Sequence, residues 1–367
     1  PPLWRAMLPT IASPSRSGGG EKRAGSGTPV FETFTHTRAR ARSETETTIW
    51  PRRRSGNPCA AAFDTTSPIT LQGKVSRFDW TNPHVYVYVT TTGAGQPTEW
   101  MIETDSTSIL TRSGWNAKSV TVGSVVTVRA NPDKNPQRHH ALLVTMALPN
   151  GTELRPRVTG PDAVAPATSV AGVWNSLRGF TQRRIGPLKP TPKGLAAATT
   201  YTEAENPVAR CVPYATPFLT GLPYLNQVEV QKDRVLIHSE FLNVDRTIYM
   251  DGRGHPKDGP RTLQGHSIGR WEGNVLVVDT TLFSDHRLGN YVGAGTAREF
   301  PSGPQKHVVE RFRLSDDRKH MLIDAVIEDP EYLVEPLTVG MEWDYAPQSR
   351  LLKIGCEPSQ SQRYLFR

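Results

Sequence analysis

The segment Gly265-His-Ser267-Ile-Gly269 has the Gly-x-Ser-x-Gly pattern of lipases and esterases. In those enzymes, small residues flank the serine at a sharp strand-to-helix turn, which exposes its hydroxyl above the sheet. Under this hypothesis Ser267 is the nucleophile of a carboxylic ester hydrolase, with His286 as base and Asp279 as orienting acid. His307 is an alternative base, and Asp285 and Asp324 are alternative acids, so the pattern does not define one triad.

The residues after Gly269 argue against such an elbow. Gly273-Asn274 favours a turn, and the next five residues, Val275 to Asp279, favour a strand. We therefore expect Ser267 in or beside a β-hairpin, with no helix beginning within four residues. His266 and Ser267 are then expected on opposite sides of the strand, and the two glycines permit the turn or close packing of Trp271.

A second group of polar residues lies just upstream, in Asp251-Gly-Arg253-Gly-His255, and is joined by His266. Asp-Gly favours a tight turn, and the simplest interpretation pairs Asp251 with Arg253 at a hairpin end. The functional alternative places Asp251, Arg253, His255 and His266 at one rim of a barrel. Since Arg recognises carboxylate through two hydrogen bonds, that rim would bind an anionic or polyhydroxylated ligand.

Other chemistries find little support in the sequence. The histidines lack metal-ligand spacing. The adjacent His139 and His140 face opposite sides of a strand, so they cannot easily bind one ion together. We therefore predict no metal and no cofactor. Glu310-Arg311 and Glu328-Asp329 are predicted to be strand positions with outward charges. Cys211 and Cys356 lie near the two ends of the second half, where a barrel would bring them together. In an oxidising compartment we expect a disulfide, and the alternative in a reducing compartment is two buried thiols.

The net charge of +8 is concentrated at the start of the chain. Residues 1–60 hold nine Arg and one Lys against four Glu, whereas the remaining residues are nearly neutral. Tyr86 and Tyr88 share a strand face without surrounding basic residues, which favours a core position, so we do not expect nucleic acid as a partner. No segment has the roughly 18 apolar residues of a membrane-spanning helix.

The chain divides by composition into four parts. Residues 1–60 lack apolar periodicity and are predicted to be a disordered basic arm. Residues 61–150 give three strands, a short helix and two strands, the element order of a five-stranded OB-like barrel. A linker at 151–170 leads to residues 171–367, where about eight short strands, the last at Leu351 to Ile354, suggest a larger antiparallel meander or calycin-like barrel. The predicted class is all-β.

Motifs in the first folded part resemble a bacterial domain family of unknown function with short secreted members. They are Phe63-Asp64, Leu71-Gln-Gly-Lys-Val75, Trp80-Thr-Asn-Pro-His84 and Gly114-Trp115. That family usually has His-His-Ser-Phe before the Phe-Asp pair, where this chain has Pro58-Cys59-Ala60-Ala61. A role of those histidines is therefore not expected here.

The second half resembles an uncharacterised extracytoplasmic β-rich family. The motifs are Arg210-Cys-Val-Pro213, Met250-Asp-Gly-Arg253, Gly265 to Gly273, Val278-Asp-Thr280, Val309-Glu-Arg-Phe312 and Glu328-Asp-Pro330. The two resemblances imply a secreted or periplasmic location and transfer no catalytic residue. The leading expectation is a non-catalytic module that binds a small molecule or an envelope component. The alternatives are the Ser267 hydrolase and a purely structural or envelope-interaction protein.

Overall fold

The chain folds into two closed β-barrels. The computed structural model describes residues 62–92, 96–157, 165–178, 184–290 and 300–362. The predicted disordered arm and Cys59 lie outside these residues. Within them, the all-β prediction is confirmed.

The first barrel has the strand order predicted for an OB-like fold. Its strands are β1 (Ile69–Asp79), β2 (Tyr86–Thr91), β3 (Thr98–Glu103), β4 (Val125–Pro132), β5 (His140–Ala147) and the short β6 (Glu153–Leu154). They are hydrogen-bonded in the order β3-β2-β1-β4-β5-β6, and β5 also pairs with β3 in parallel. That last pairing closes five strands into a barrel, which leaves β6 as an addition at the end of β5.

The alternating side-chain directions along β2 determine which of its residues pack in the barrel core. Val87 and Val89 point inward and join the barrel core, together with Val85 just before the strand. Tyr86 and Tyr88 are also buried, but they form a separate cluster with Met101. The tyrosines were therefore correctly predicted as buried, but they pack outside the barrel core, because neighbouring strand residues face opposite sides.

The helix α1 (Thr107–Arg112) connects the two barrels as well as β3 and β4. The Ser106 side chain caps its first turn by accepting from the Ile109 backbone N–H. Ile109 belongs to the core cluster of the second barrel, and Arg112 forms an ion pair with Glu240, a buried residue there. The helix thus contributes apolar and charged contacts to the second barrel.

The second barrel is built from nine strands. The strands of this sheet are β7 (Gly172–Asn175), β8 (Arg184–Ile185), β9 (Leu225–Val230), β10 (Arg234–Ser239), β11 (Val244–Tyr249), β12 (His266–Glu272), β13 (Val275–Thr281), β14 (His307–Leu314), β15 (His320–Glu328) and β16 (Leu337–Tyr345). Their order is β15-β14-β13-β12-β11-β10-β9-β7-β16-β8, and pairing of β15 with β16 closes nine of these ten strands into the barrel, which leaves the short β8 as an addition beside β16. Two short α-helices, α2 (Pro192–Thr199) and α3 (Pro358–Ser361), lie wholly within the described residues of this part of the chain. No helix among the described residues is long and apolar enough to cross a membrane.

This barrel departs from the predicted antiparallel meander at one point. Strands β11 and β12 pair in parallel, through Ile248 with Ser267 and Tyr249 with Ile268. Parallel neighbours cannot be joined by a tight hairpin, so the chain needs a long return between them. Residues 250–265 provide it, and we call them the crossover connection. The strand predicted at Leu351 to Ile354 is absent, since those residues are irregular.

A disulfide joins Cys211 to Cys356, as predicted, with Cα atoms 5.8 Å apart. The bridge connects residues 145 positions apart in sequence. Cys211 ends a short 3₁₀ helix (Pro207–Arg210), and Cys356 precedes α3. The bridge therefore fixes the C-terminal segment to the part of the chain that leads into β9.

Candidate functional site

The crossover connection carries the predicted binding residues across the outer face of β12 and β13. It starts at Met250, which packs so closely on β12 that a Cβ at Gly269 would lie 2.6 Å from its sulfur. It ends at Gly265, whose φ of +67° turns the chain into β12. Both glycines of the Gly-x-Ser-x-Gly pattern thus have structural roles. The expected close packing of Trp271 is not found, because its side chain is exposed.

Asp251 and Arg253 form an ion pair at the start of this connection. The Arg253 Nε donates to Asp251 Oδ1 at 2.8 Å, and its Nη2 donates to Oδ2. The guanidinium also lies over the Tyr249 ring, 4.0 Å from the centroid. Hydrogen bonding by Arg253 lowers the pKa of Asp251 to about 2. The simpler interpretation, a paired turn, is therefore the one observed, and the Arg253 fork already holds a carboxylate of its own chain.

His255 and His266 meet through their Nδ1 atoms, 2.9 Å apart. His266 stacks on Tyr249 with ring centroids 5.2 Å apart. Burial, and then the positive charges of His255 and Arg253, lower the pKa of His266. The four predicted binding residues therefore do lie together, and Tyr249, which the sequence did not single out, holds two of them in place.

Asp279 extends this group with residues that sequence reasoning did not assign to it. Its Oδ1 lies 3.1 Å from His255 Nε2 and 2.9 Å from His307 Nε2. His307 Nδ1 lies 2.9 Å from Glu328 Oε2 on the neighbouring strand. Hydrogen bonding to Asp279 raises the pKa of His307 to about 9 despite the opposing effect of burial, and Glu328 adds to the rise. We call these four residues, with His266, the histidine cluster.

An open cleft of about 340 Å³ lies in the later part of the crossover connection. Its lining residues are Lys257, Asp258, Gly259, Pro260, Arg261 and Leu282. The backbone at Gly259 packs tightly, since a Cβ there would lie 3.0 Å from Leu282 Cδ1. Arg261 Nη1 donates to the carbonyl oxygens of Phe283 at 3.3 Å and Pro304 at 2.5 Å, which fixes its guanidinium at the cleft.

The proposed catalytic triad is not assembled. Ser267 is only 1% exposed and lies on β12, where no helix follows. Its hydroxyl contacts Arg246 Nε at 3.1 Å and Thr280 Oγ1 at 3.0 Å, and it contacts no histidine of the described residues. As expected, His266 and Ser267 point to opposite sides of the strand.

The other two triad residues lie elsewhere. Asp279 belongs to the histidine cluster on the outer face, whereas Ser267 faces the interior, because Asp279 and Thr280 alternate along β13. His286 Nδ1 accepts from the Leu288 backbone N–H at 3.1 Å. Burial and the charge of Lys306 lower the pKa of His286 to about 4. The structure therefore does not bring Ser267, His286 and Asp279 together as a triad.

Inside the barrel, Ser267 supports a buried ion pair. Arg246 is 4% exposed and forms an ion pair with Glu310, which is fully buried. Arg246 Nη2 also donates to Thr280 Oγ1 at 2.8 Å. The prediction that Glu310 points outward is wrong, because the register of β14 places Glu310 on the interior face and Arg311 outside. Asp329, also expected outward, is 1% exposed and accepts from Asn290 Nδ2 at 2.7 Å.

The first barrel also holds a buried carboxylate that the sequence did not reveal. Glu103 is 2% exposed and lies 2.9 Å from His84 Nδ1 and 3.0 Å from His140 Nε2. Burial opposes its ionisation, but attraction to His84 and hydrogen bonds with both histidines hold the pKa of Glu103 well below its usual range. His139 faces the other way and contacts Trp100, as expected for adjacent strand residues.

Metal-ligating side chains come together in one other place. Within the described residues, one group has three such side chains whose ligand atoms all lie within 4.8 Å of one another: His320, Glu342 and Asp344. The expectation of no metal and no cofactor stays a prediction.

Residues 55–142 match a family of unknown function, DUF6152. The match covers about a quarter of the chain and includes β1 to β4 of the first barrel, with the buried Glu103. It does not extend to the second barrel, where the crossover connection lies, so the resemblance of that half stays a prediction. No curated protein matches the chain.

Proposed function

We propose that this protein is a non-catalytic, extracytoplasmic binding module that holds an anionic small molecule in the cleft of its crossover connection. The observation that carries the proposal is the pair of cationic side chains, Lys257 and Arg261, that line the cleft. Both are exposed, so a ligand can reach them.

The charges of the cleft favour an anion. Lys257 has no ion-pair partner among the described residues, and Arg261 is hydrogen-bonded to neutral backbone carbonyls. Asp258 is the single acidic residue in the lining. Arg253 and His307, in contrast, already pair with carboxylates of the chain. Carboxylate and phosphate groups are the anions that Arg and Lys bind best.

The non-catalytic part of the proposal rests on Ser267. A nucleophile needs a base within hydrogen-bond reach and access to the substrate. The Ser267 hydroxyl instead contacts Arg246 and Thr280 in the barrel interior, and its side chain is inaccessible.

The location is supported by the Cys211–Cys356 bridge. Disulfides persist in oxidising compartments such as the periplasm and the extracellular space, and they are rare in the reducing cytosol. Fractionation of the producing cells tests this part, and protein confined to the cytosol with both thiols reduced would contradict it.

Binding is tested by calorimetric titration with citrate and, separately, with inorganic phosphate, in metal-free buffer. The variant is Lys257→Glu, and the matched control is Lys232→Glu, which reverses an exposed charge in the turn between β9 and β10. Reversing one charge near a bound anion should weaken binding roughly tenfold. We expect this loss in Lys257→Glu only. Absence of binding by both anions, or equal binding by the two variants, would refute the proposal.

A further inference from the structure

The outer face of β15 and β16 carries three side chains of the types that bind metal ions. His320 on β15 pairs directly with Asp344 on β16, and Glu342 lies two residues earlier on the same face as Asp344. His320 Nδ1 is 2.9 Å from Asp344 Oδ1 and 3.5 Å from Glu342 Oε1. All three side chains are partly exposed, so an ion can enter from solvent.

The two carboxylates already attract cationic donors. Arg178 Nε lies 2.7 Å from Asp344 Oδ1 and 3.4 Å from Glu342 Oε1, the same two oxygens that His320 faces. Two neighbouring carboxylates repel each other, and positive charge between them relieves that repulsion. A divalent ion carries two positive charges, so it would relieve this repulsion more than one guanidinium does.

The far nitrogen of His320 faces a third carboxylate. Its Nε2 lies 3.8 Å from Asp317 Oδ2, in the turn between β14 and β15. In metal sites, a carboxylate near the second ring nitrogen fixes the tautomer that leaves the ligating nitrogen free of its proton. At 3.8 Å this is a charge contact and not a hydrogen bond, so Asp317 favours a proton on Nε2 without fixing it, and an ion bound at Nδ1 would replace the proton that Nδ1 shares with Asp344.

We propose that His320, Glu342 and Asp344 form a binding site for a divalent transition-metal ion, with Zn²⁺ as the probe. Imidazole with carboxylates suits Zn²⁺ and its first-row neighbours, whereas Ca²⁺ and Mg²⁺ prefer oxygen ligands alone. The three ligands stand on two adjacent strands of the closed barrel, so their backbone positions are fixed before the ion arrives. Water completes the coordination. This site lies apart from the cleft and does not depend on the proposed function.

The test uses the full-length chain, treated with a chelator and titrated with Zn²⁺ in competition with a chromophoric chelator. His320→Asn should weaken the binding at least tenfold, and Glu342→Gln should weaken it as well. The matched control is His238→Asn, because His238 also lies on an outer face and contacts two carboxylates, Asp245 and Glu229. Wild-type affinity in His320→Asn, or an equal loss in the control, would overturn the proposal.

Arg178 provides a second test that does not depend on losing function. Its guanidinium competes with the ion for the same two oxygens, so Arg178→Met should bind Zn²⁺ several-fold more tightly than wild type. Co²⁺ added to Arg178→Met should give the visible absorption bands of a ligated ion. Adding His320→Asn to this variant should abolish those bands. Unchanged or weaker Zn²⁺ binding by Arg178→Met would contradict the site.

Ca²⁺ at the same concentration should not compete with Zn²⁺ for the site, and effective competition by Ca²⁺ would contradict the assigned ion class.

Discussion

The histidine cluster should make the stability of the protein depend on pH in a predictable direction. The informative change is His307→Gln, which removes the charge of His307 and keeps a hydrogen-bond donor near Asp279. Because the folded state raises the pKa of His307 from 6.5 to about 9, folding favours the protonated ring. The stabilisation is fully present below the unfolded-state pKa and is lost as the pH rises through about 9.

The magnitude follows from the shift and from the exposure of the groups. Each pKa unit corresponds to about 1.4 kcal/mol, so the full shift would give about 3 kcal/mol. The side chains of His307 and Glu328 are 32% and 54% exposed, however, and water screens their interaction. We therefore expect that wild type exceeds His307→Gln in free energy of unfolding by about 1–2 kcal/mol near pH 6, and by much less near pH 10.

The assay is chemical denaturation of wild type and variant at several pH values from 5.5 to 10. His238→Gln serves as the control, because it removes another outer-face histidine that contacts carboxylates. A wild-type advantage over His307→Gln that is constant between pH 6 and 10 would refute the reasoning. A difference that grows with pH would show that the cluster holds His307 neutral.

Three further predictions concern the interior and the disulfide. Ser267→Ala should cost roughly 1 kcal/mol of stability, since it removes hydrogen bonds, and a fluorophosphonate should leave Ser267 of the wild type unlabelled in mass mapping. Arg246→Met should cost about 3–5 kcal/mol in chemical denaturation, because Glu310 becomes an uncompensated buried charge, and adding Glu310→Leu should restore much of the loss. Replacing Cys211 and Cys356 with Ser should lower the free energy of unfolding by about 2–5 kcal/mol, and alkylation of the unreduced wild type should modify neither cysteine.

Local sequence pattern predicted most of the strands, apart from the one expected at Leu351 to Ile354, and it predicted the opposite orientation of neighbouring strand residues. The turn residues Gly273-Asn274 and the apolar run after them predicted the β12–β13 hairpin, which the structure confirms. Because the side-chain period of a strand is two, that hairpin also separates His266 from Ser267. The same rule separated His139 from His140 in the first barrel.

Which face of a strand is buried could not be predicted in the same way. Glu310 was expected outside and lies inside, because the choice of face is set by register with strands that are distant in sequence. His307 opposite Glu328 and His320 opposite Asp344 are cross-strand pairs 21 and 24 residues apart. Their spacing carries no local signal, so the sequence revealed neither the full histidine cluster nor the candidate metal ligands.

The parallel pairing of β11 and β12 was missed for a related reason. When a chain is predicted to consist of strands separated by turns, the simplest arrangement is a meander. The parallel pairing of β11 with β12 involves only two residue pairs. The crossover connection follows from it, and this connection brings His255 onto β13 and creates the cleft. The sequence thus predicted that Asp251, Arg253, His255 and His266 lie together, but it predicted neither the cleft nor the residues that line it.

The most direct test of an anion site in the crossover connection is to map backbone amide resonances of labelled protein during a citrate titration. We predict saturable shifts concentrated at Lys257 to Arg261 and at Leu282, with the amides around Ser267 and in the first barrel unmoved. Saturable shifts confined to another surface, or no shifts with either citrate or phosphate, would contradict the proposed site.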